Sequence, residues 1–144
     1  QAVIEGTIRT FDRELSAHIL SRIGQIASGI AASFRASAET VELASAPPLQ
    51  NDPTLMHFAA DTASELFGDP AVIRLSEGGM GSEDFASFTY ELPSAYLLLG
   101  AGAKNEDPRY GAPMHNEAVV FNEAVLPRGA ALHTLFALRR LANA

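Results

Sequence analysis

The sequence predicts an α/β chain made of two pieces. Three observations carry that reading. A strand–helix–strand pattern runs from Ala2 to Ala44, a proline-rich break follows, and beyond it helical patterns enclose a short, almost wholly apolar run. The break divides the 144 residues into 1–46 and 47–144.

Ala2 to Phe11 alternates, with Ile4, Gly6 and Ile8 on one face and Val3, Glu5, Thr7 and Arg9 on the other. That is the period of a half-buried strand. Asp12 is a good helix cap, and Leu15, Ile19, Ile23, Ile26, Ile30 and Phe34 follow it at spacings of three and four. They form one apolar stripe on a long helix, which is read as core. His18, Arg22 and Gln25 lie off the stripe, and Gly24 and Gly29 suggest close packing against a sheet. Ala38 to Ala44 is a second strand with Val41 and Leu43 inward. Strand–helix–strand units cross over right-handed, which makes the two strands parallel.

Ala46-Pro47-Pro48-Leu49-Gln50-Asn51-Asp52-Pro53 is a stiff link, and either Asn51 or Asp52 caps the next helix with Pro53 in its first turn. Thr54 to Phe67 reads as that helix, ended by Gly68, and Ala71 to Leu75 as a short strand. Ser82 to Tyr90 is a short helix stopped by Pro93, and Ala95 to Leu99 a strand buried on both faces. Gly100 to Ala112 is a surface loop. Glu123 to Ala142 is a closing helix, irregular near Pro127 and Gly129, with Leu132, Leu135, Phe136 and Leu138 inward and Arg139 and Arg140 suited to its C-terminal dipole.

The stretch from Glu77 to Ala86 is the densest in chemical possibility. Gly78, Gly79 and Gly81 allow positive φ and close backbone approach to a ligand, and Ser82 can cap a helix carrying Glu83 and Asp84. Exposed N–H groups at such a turn suit a carboxylate or an oxyanion. Taken alone, the stretch reads first as an ordinary loop before a capped helix, with Glu83 and Asp84 as dipole carboxylates. It gains weight from Pro113-Met114-His115-Asn116 and Val119-Val120-Phe121-Asn122-Glu123 downstream.

Composition excludes several classes. The net charge is −7 and the pI about 5.0 with no basic cluster, so nucleic acid and anionic membrane are poor partners. No apolar run reaches the length of a membrane span, and the start does not read as a signal peptide. The chain has no cysteine, which removes disulfides and thiolate metal sites and fits a cytoplasmic setting. Because it begins at Gln1 and enters a strand pattern at once, a fragment is expected.

Several stretches together resemble a known family. They are Glu5-Gly6-Thr7-Ile8-Arg9-Thr10-Phe11-Asp12, the proline–proline link with Asn51-Asp52, Gly81-Ser82-Glu83-Asp84-Phe85, Tyr96-Leu97-Leu98-Leu99-Gly100, His115-Asn116 and Phe121-Asn122-Glu123. In this order they resemble the C-terminal part of the aminoacylase-like dinuclear zinc metallopeptidases, in the branch of hippurate hydrolases and N-acyl-amino-acid amidohydrolases. The resemblance implies the second half of a βαββαβ (ferredoxin-like) lid in residues 1–46, which often carries the dimer contact. It implies the C-terminal part of an α/β catalytic domain in residues 47–144. Two divalent ions, zinc or manganese, would serve the intact enzyme, with none stably bound by this chain.

By the same resemblance, His115 is a metal ligand and Arg9 grips the carboxylate of the amino-acid half of a small N-acyl amino acid. Gly79, Met80, Gly81 and Ser82 line the substrate site. Glu83 and Asp84 match the family pattern with no role assigned. The family's His-x-Asp motif and Glu-Glu pair are absent from the sequence. No catalytic residue is therefore assigned to this chain. The missing N-terminal portion of the same protein is an expected partner, as is a second copy through the lid.

Other readings stand beside this one. His115 on its own is an ordinary loop histidine, and Arg9 a surface charge. The other histidines, His18, His57 and His133, fall on helices. A non-catalytic binding or dimerisation module is the main rival to an amidohydrolase. A phosphate loop is disfavoured because no Gly-Lys-Ser/Thr ending follows the glycines. The half lid lacks the strand that normally lies between its two, so either those strands pair directly or another chain completes the sheet, leaving apolar surface to cover.

Overall fold

Two of the three α-helices begin where a short acidic side chain can take up a free backbone N–H. Asp12 accepts from the Leu15 N–H at 2.6 Å and opens α1 (Arg13–Ser33). Asp52 accepts from the Leu55 N–H at 2.8 Å and opens α2 (Pro53–Phe67), with Pro53 in the first turn where no N–H is needed. The computed structural model describes residues 1–142. Four 3₁₀ turns follow α2, at Asp69–Ala71, Asp84–Tyr90, Pro108–Gly111 and Glu123–Val125, and α3 (Leu126–Ala142) closes the described chain. The chain forms two compact units. One joins Gln1–Asn51 to Leu75–Ser94, and the other joins Asp52–Arg74 to the chain from Ala95 onward.

In the first unit, α1 ends in a Schellman motif. The Ala36 N–H reaches the Ala31 carbonyl at 2.9 Å and the Arg35 N–H reaches Ala32 at 3.0 Å. Arg35 takes the left-handed position at φ 57°, where glycine is the usual residue. Arg35→Gly should therefore favour the helical state of α1 by about 1 kcal/mol. The check is a higher thermal midpoint in the far-ultraviolet dichroism. A lower midpoint would mean that the arginine side chain more than offsets the strain.

The stripe from Leu15 to Phe34 is not core. No α1 residue is buried, and Leu15, Ile23, Ile26, Ile30 and Phe34 are all exposed. The cause lies in the backbone around the helix. Among the described residues there is no strand; Ala2–Phe11, Ala38–Ala44 and Ala95–Leu99 are irregular, and Ala71 falls in a 3₁₀ turn. An alternating segment becomes a strand only when a neighbour completes its hydrogen-bond ladder. No backbone hydrogen bond joins Ala2–Phe11 to Ala38–Ala44 among the described residues. Of the two expected arrangements, direct pairing of these segments is thus not formed, and among the described residues α1 has no sheet to lie on. Gly24 faces the Thr40 side chain, whereas Gly29 has nothing near it.

The proline link is held from the other side of the same unit. The Tyr90 hydroxyl donates to the Pro48 carbonyl at 2.9 Å, and the Gln50 N–H donates to Thr89 Oγ1 at 3.3 Å. Thr89 Oγ1 in turn donates to the Ala86 carbonyl at 2.7 Å. The Arg13 guanidinium stands 5.4 Å from the centre of the Tyr90 ring.

The second unit is organised by α2 against α3. Ala59, Ala60, Thr62 and Ala63 are buried on α2, small residues that admit a close neighbour. Phe58 meets Phe136 edge to face at 5.1 Å. Arg139 crosses between the helices, 5.3 Å from the Phe58 ring centre, and donates to Glu65 Oε2 at 2.8 Å and Thr62 Oγ1 at 3.2 Å. Leu132, Leu135 and Phe136 are half-buried, but Leu138 is exposed, because one face of α3 suffices to cover α2. Asn122 accepts from the Ala124 N–H at 3.0 Å and starts the 3₁₀ turn from which α3 continues through Pro127. No described helix is long and apolar enough to cross a membrane.

Candidate functional site

The first unit brings Arg9 and the glycine-rich loop together. The Arg9 guanidinium donates to the Met80 carbonyl at 3.4 Å, a long contact on an exposed surface. Two residues on, Phe11 lies against Gly78, where an added Cβ would stand 3.4 Å from the ring. Gly79, Met80, Gly81 and Ser82 are exposed beside Arg9's partner carbonyl. The loop does not use the positive φ that its glycines allow. Among the described residues only Gly68 and Gly102 are glycines of that kind. What the glycines supply here is an absence of side chains, which leaves open backbone around Met80.

The cap also differs from expectation. Glu83, not Ser82, accepts from the Phe85 N–H, at 3.2 Å, and the helix that follows is the 3₁₀ turn Asp84–Tyr90. The longer glutamate side chain reaches a donor two residues ahead. Asp84 opens that turn and is exposed.

His115 belongs to the second unit. The loop before it is knit locally: Asp107 caps the turn Pro108–Gly111 and its carboxylate is held by Arg109 Nη2 at 2.6 Å. The Arg109 side chain first, and its backbone N–H second, keep the Asp107 carboxyl below the usual carboxylate range. Gly102, at φ 123°, sits under the Tyr110 ring, which leaves no space for a Cβ. His115 itself is exposed and takes φ 61°, a left-handed conformation rarely used outside glycine but tolerated better by histidine and asparagine. Asn116 stabilises the turn after it, accepting from the Ala118 N–H at 2.9 Å while its carbonyl accepts from Val119 at 3.0 Å. The chain then returns to Ala101, whose carbonyl takes the Asn122 N–H at 2.8 Å.

An imidazole held out on a fixed turn can serve as a metal donor. It cannot form a metal centre unaided, since each ion needs three or four donors. Among the described residues no group of three or more His, Asp or Glu could hold a metal ion. His115 thus fits as one donor, while the described residues do not fit a complete dinuclear centre. His18, His57 and His133 lie exposed on α1, α2 and α3. An open groove of about 580 Å³ in the same unit is lined by Leu99, Ala101, Val119, Phe121, Val125 and others, with His115 outside it.

Sequence reasoning missed the part played by Phe11 and Tyr90. Phe11 ends the alternating stretch and Tyr90 ends the short helical one, and an aromatic at such an end gives no sign of which backbone it will meet.

Residues 1–139 match the family described as peptidase family M20/M25/M40. The chain is 31% identical over 126 residues to an N-acetylcysteine deacetylase of Bacillus subtilis, covering 88% of this chain and 30% of that protein. It is 31% identical over 140 residues to a hippurate hydrolase of Campylobacter jejuni, covering 97% and 35%. Similarity extends to thermostable carboxypeptidase 2 of Saccharolobus solfataricus, 27% identical over 139 residues, covering 96% and 34%. The chain thus spans about a third of the length of these curated relatives. No solved structure matches it.

Proposed function

We propose, from the premise that the chain belongs to peptidase family M20/M25/M40, that it is the C-terminal portion of a metal-dependent amidohydrolase acting on N-acyl amino acids. Two relatives bear names that specify such substrates, hippurate and N-acetylcysteine. The observation that carries the reading is the Arg9 guanidinium held beside the open backbone of Met80. A planar cationic fork next to exposed loop backbone suits the carboxylate of an amino acid, which it can bond through both oxygens.

In this reading residues 1–46 are half of a ferredoxin-like lid and 47–144 the end of the catalytic domain. Arg9 orients the substrate by its carboxylate. Gly79, Met80, Gly81 and Ser82 line the cleft and offer no side chain bulky enough to exclude an acyl group except Met80. His115 donates one ring nitrogen to a divalent ion, zinc or manganese, and its other nitrogen is left to orient the ring. The ions, when bound, would polarise the amide carbonyl and activate water. The general base and the remaining ligands are assigned to the N-terminal portion of the same cytoplasmic protein.

The chain expressed by itself should accordingly show no amidase activity with zinc or manganese on a panel of N-acyl amino acids. Turnover that survives purification and disappears in His115→Ala would defeat the division of the site. Reading the gene upstream of Gln1 for His-x-Asp and Glu-Glu motifs is the direct test of the enzyme reading.

A dimerisation module is the second reading, and the exposed Ile23, Ile26, Ile30 and Phe34 of α1 favour it. Both readings recruit a second copy through the lid, so light scattering does not separate them; the upstream motifs do.

A further inference from the structure

We propose that Tyr90 is a positioning residue for substrate binding, setting the distance between the Arg9 guanidinium and the glycine-rich loop. The proposal rests on the assignment of Arg9 to the substrate carboxylate. The direct Arg9–Met80 contact is 3.4 Å long and exposed, too weak to fix that gap. Stronger ties lie just downstream of both partners. Four residues after Arg9, Arg13 stands over the Tyr90 ring at 5.4 Å. Tyr90 ends the 3₁₀ turn that the loop leads into. Its hydroxyl donates to the Pro48 carbonyl at 2.9 Å, and its neighbour Thr89 takes the Gln50 N–H at 3.3 Å.

The start of α1, the proline link and the turn after the loop therefore meet at one half-buried ring. The link is stiff because of Pro47 and Pro48, so a bond to the Pro48 carbonyl holds Tyr90 against a firm support. Loss of the hydroxyl frees the turn at one end while leaving the ring under Arg13. The loop then shifts relative to Arg9, and the substrate's carboxylate and acyl portions are no longer matched by one arrangement.

The test uses the intact enzyme, the N-acyl amino acid it turns over fastest, and the same compound with its carboxylate converted to an amide. Tyr90→Phe should raise KM for the acid about fivefold, the usual effect of one neutral hydrogen bond, with kcat little altered. The amide should be hydrolysed as by the parent enzyme. With Arg9→Ala already present, Tyr90→Phe should add nothing, because both act on one interaction. Equal losses on acid and amide, an additive double variant, or no loss on the acid would overturn the proposal. If Arg9→Ala does not distinguish acid from amide, the assignment of Arg9 is what fails. If Arg9→Ala distinguishes them and Tyr90→Phe does not, only the role of Tyr90 falls.

Discussion

Replacing His115 in the intact enzyme should remove metal and activity together. Loss of a mere partner of a metal ligand costs about 10–100-fold in affinity or activity, so loss of the ligand itself should lower kcat/KM by more than about a hundredfold. Alanine is an imperfect probe, because residue 115 sits at φ 61° and alanine is strained there. His115→Asn is cleaner: asparagine tolerates that conformation and the Asn116 turn should persist, while the imidazole is gone. Metal content per protein and kcat/KM should fall in parallel for both variants. Metal content equal to the parent's, with activity lost or kept, would return His115 to an ordinary loop histidine.

Arg9→Ala should weaken transition-state binding of substrates bearing a free carboxylate by roughly 2–4 kcal/mol, as for losing a charge-assisted pair. The side chain is exposed and its one contact with Met80 is long, so folding should be unaffected. Arg9→Lys should recover only part of the loss, since an ammonium lacks the fork that meets two oxygens. An unchanged kcat/KM on free acids would make Arg9 a surface charge.

The legible parts of the chain were those decided locally. Asp12 as a cap, Pro53 in a first turn and Gly68 as a stop each act within one helical turn, and the structure has them where the sequence places them; of the two caps left open for α2, Asn51 and Asp52, the structure uses Asp52. Ser82 misled because Glu83 competes for the same donors with a longer reach. The strands could not be read in the same way. Ile4 and Ile8 alternate correctly, but a strand is a relation between two segments, and alternation says nothing of whether a partner is at hand. For the same reason the Leu15–Phe34 stripe was legible as a helix face and not as core. Of the candidate site, the closeness of Arg9 to the glycine-rich loop could not be read from spacing, because Arg9 meets Met80 and Phe11 meets Gly78 across about seventy residues of chain.

The difference between α1 and α2 bears on how the chain would come apart. α2 has four buried residues and a partner helix, whereas the 21 residues of α1 have none buried. A helix with no fully buried residue draws little on tertiary packing, which supplies most of the stability of helices in proteins. Its amides should therefore open to solvent exchange through local fraying, while those of α2 wait for separation from α3. A chain built this way has no single unfolding temperature. Heat would erode α1 gradually before the α2–α3 pair yields, and one midpoint fitted to both would describe neither.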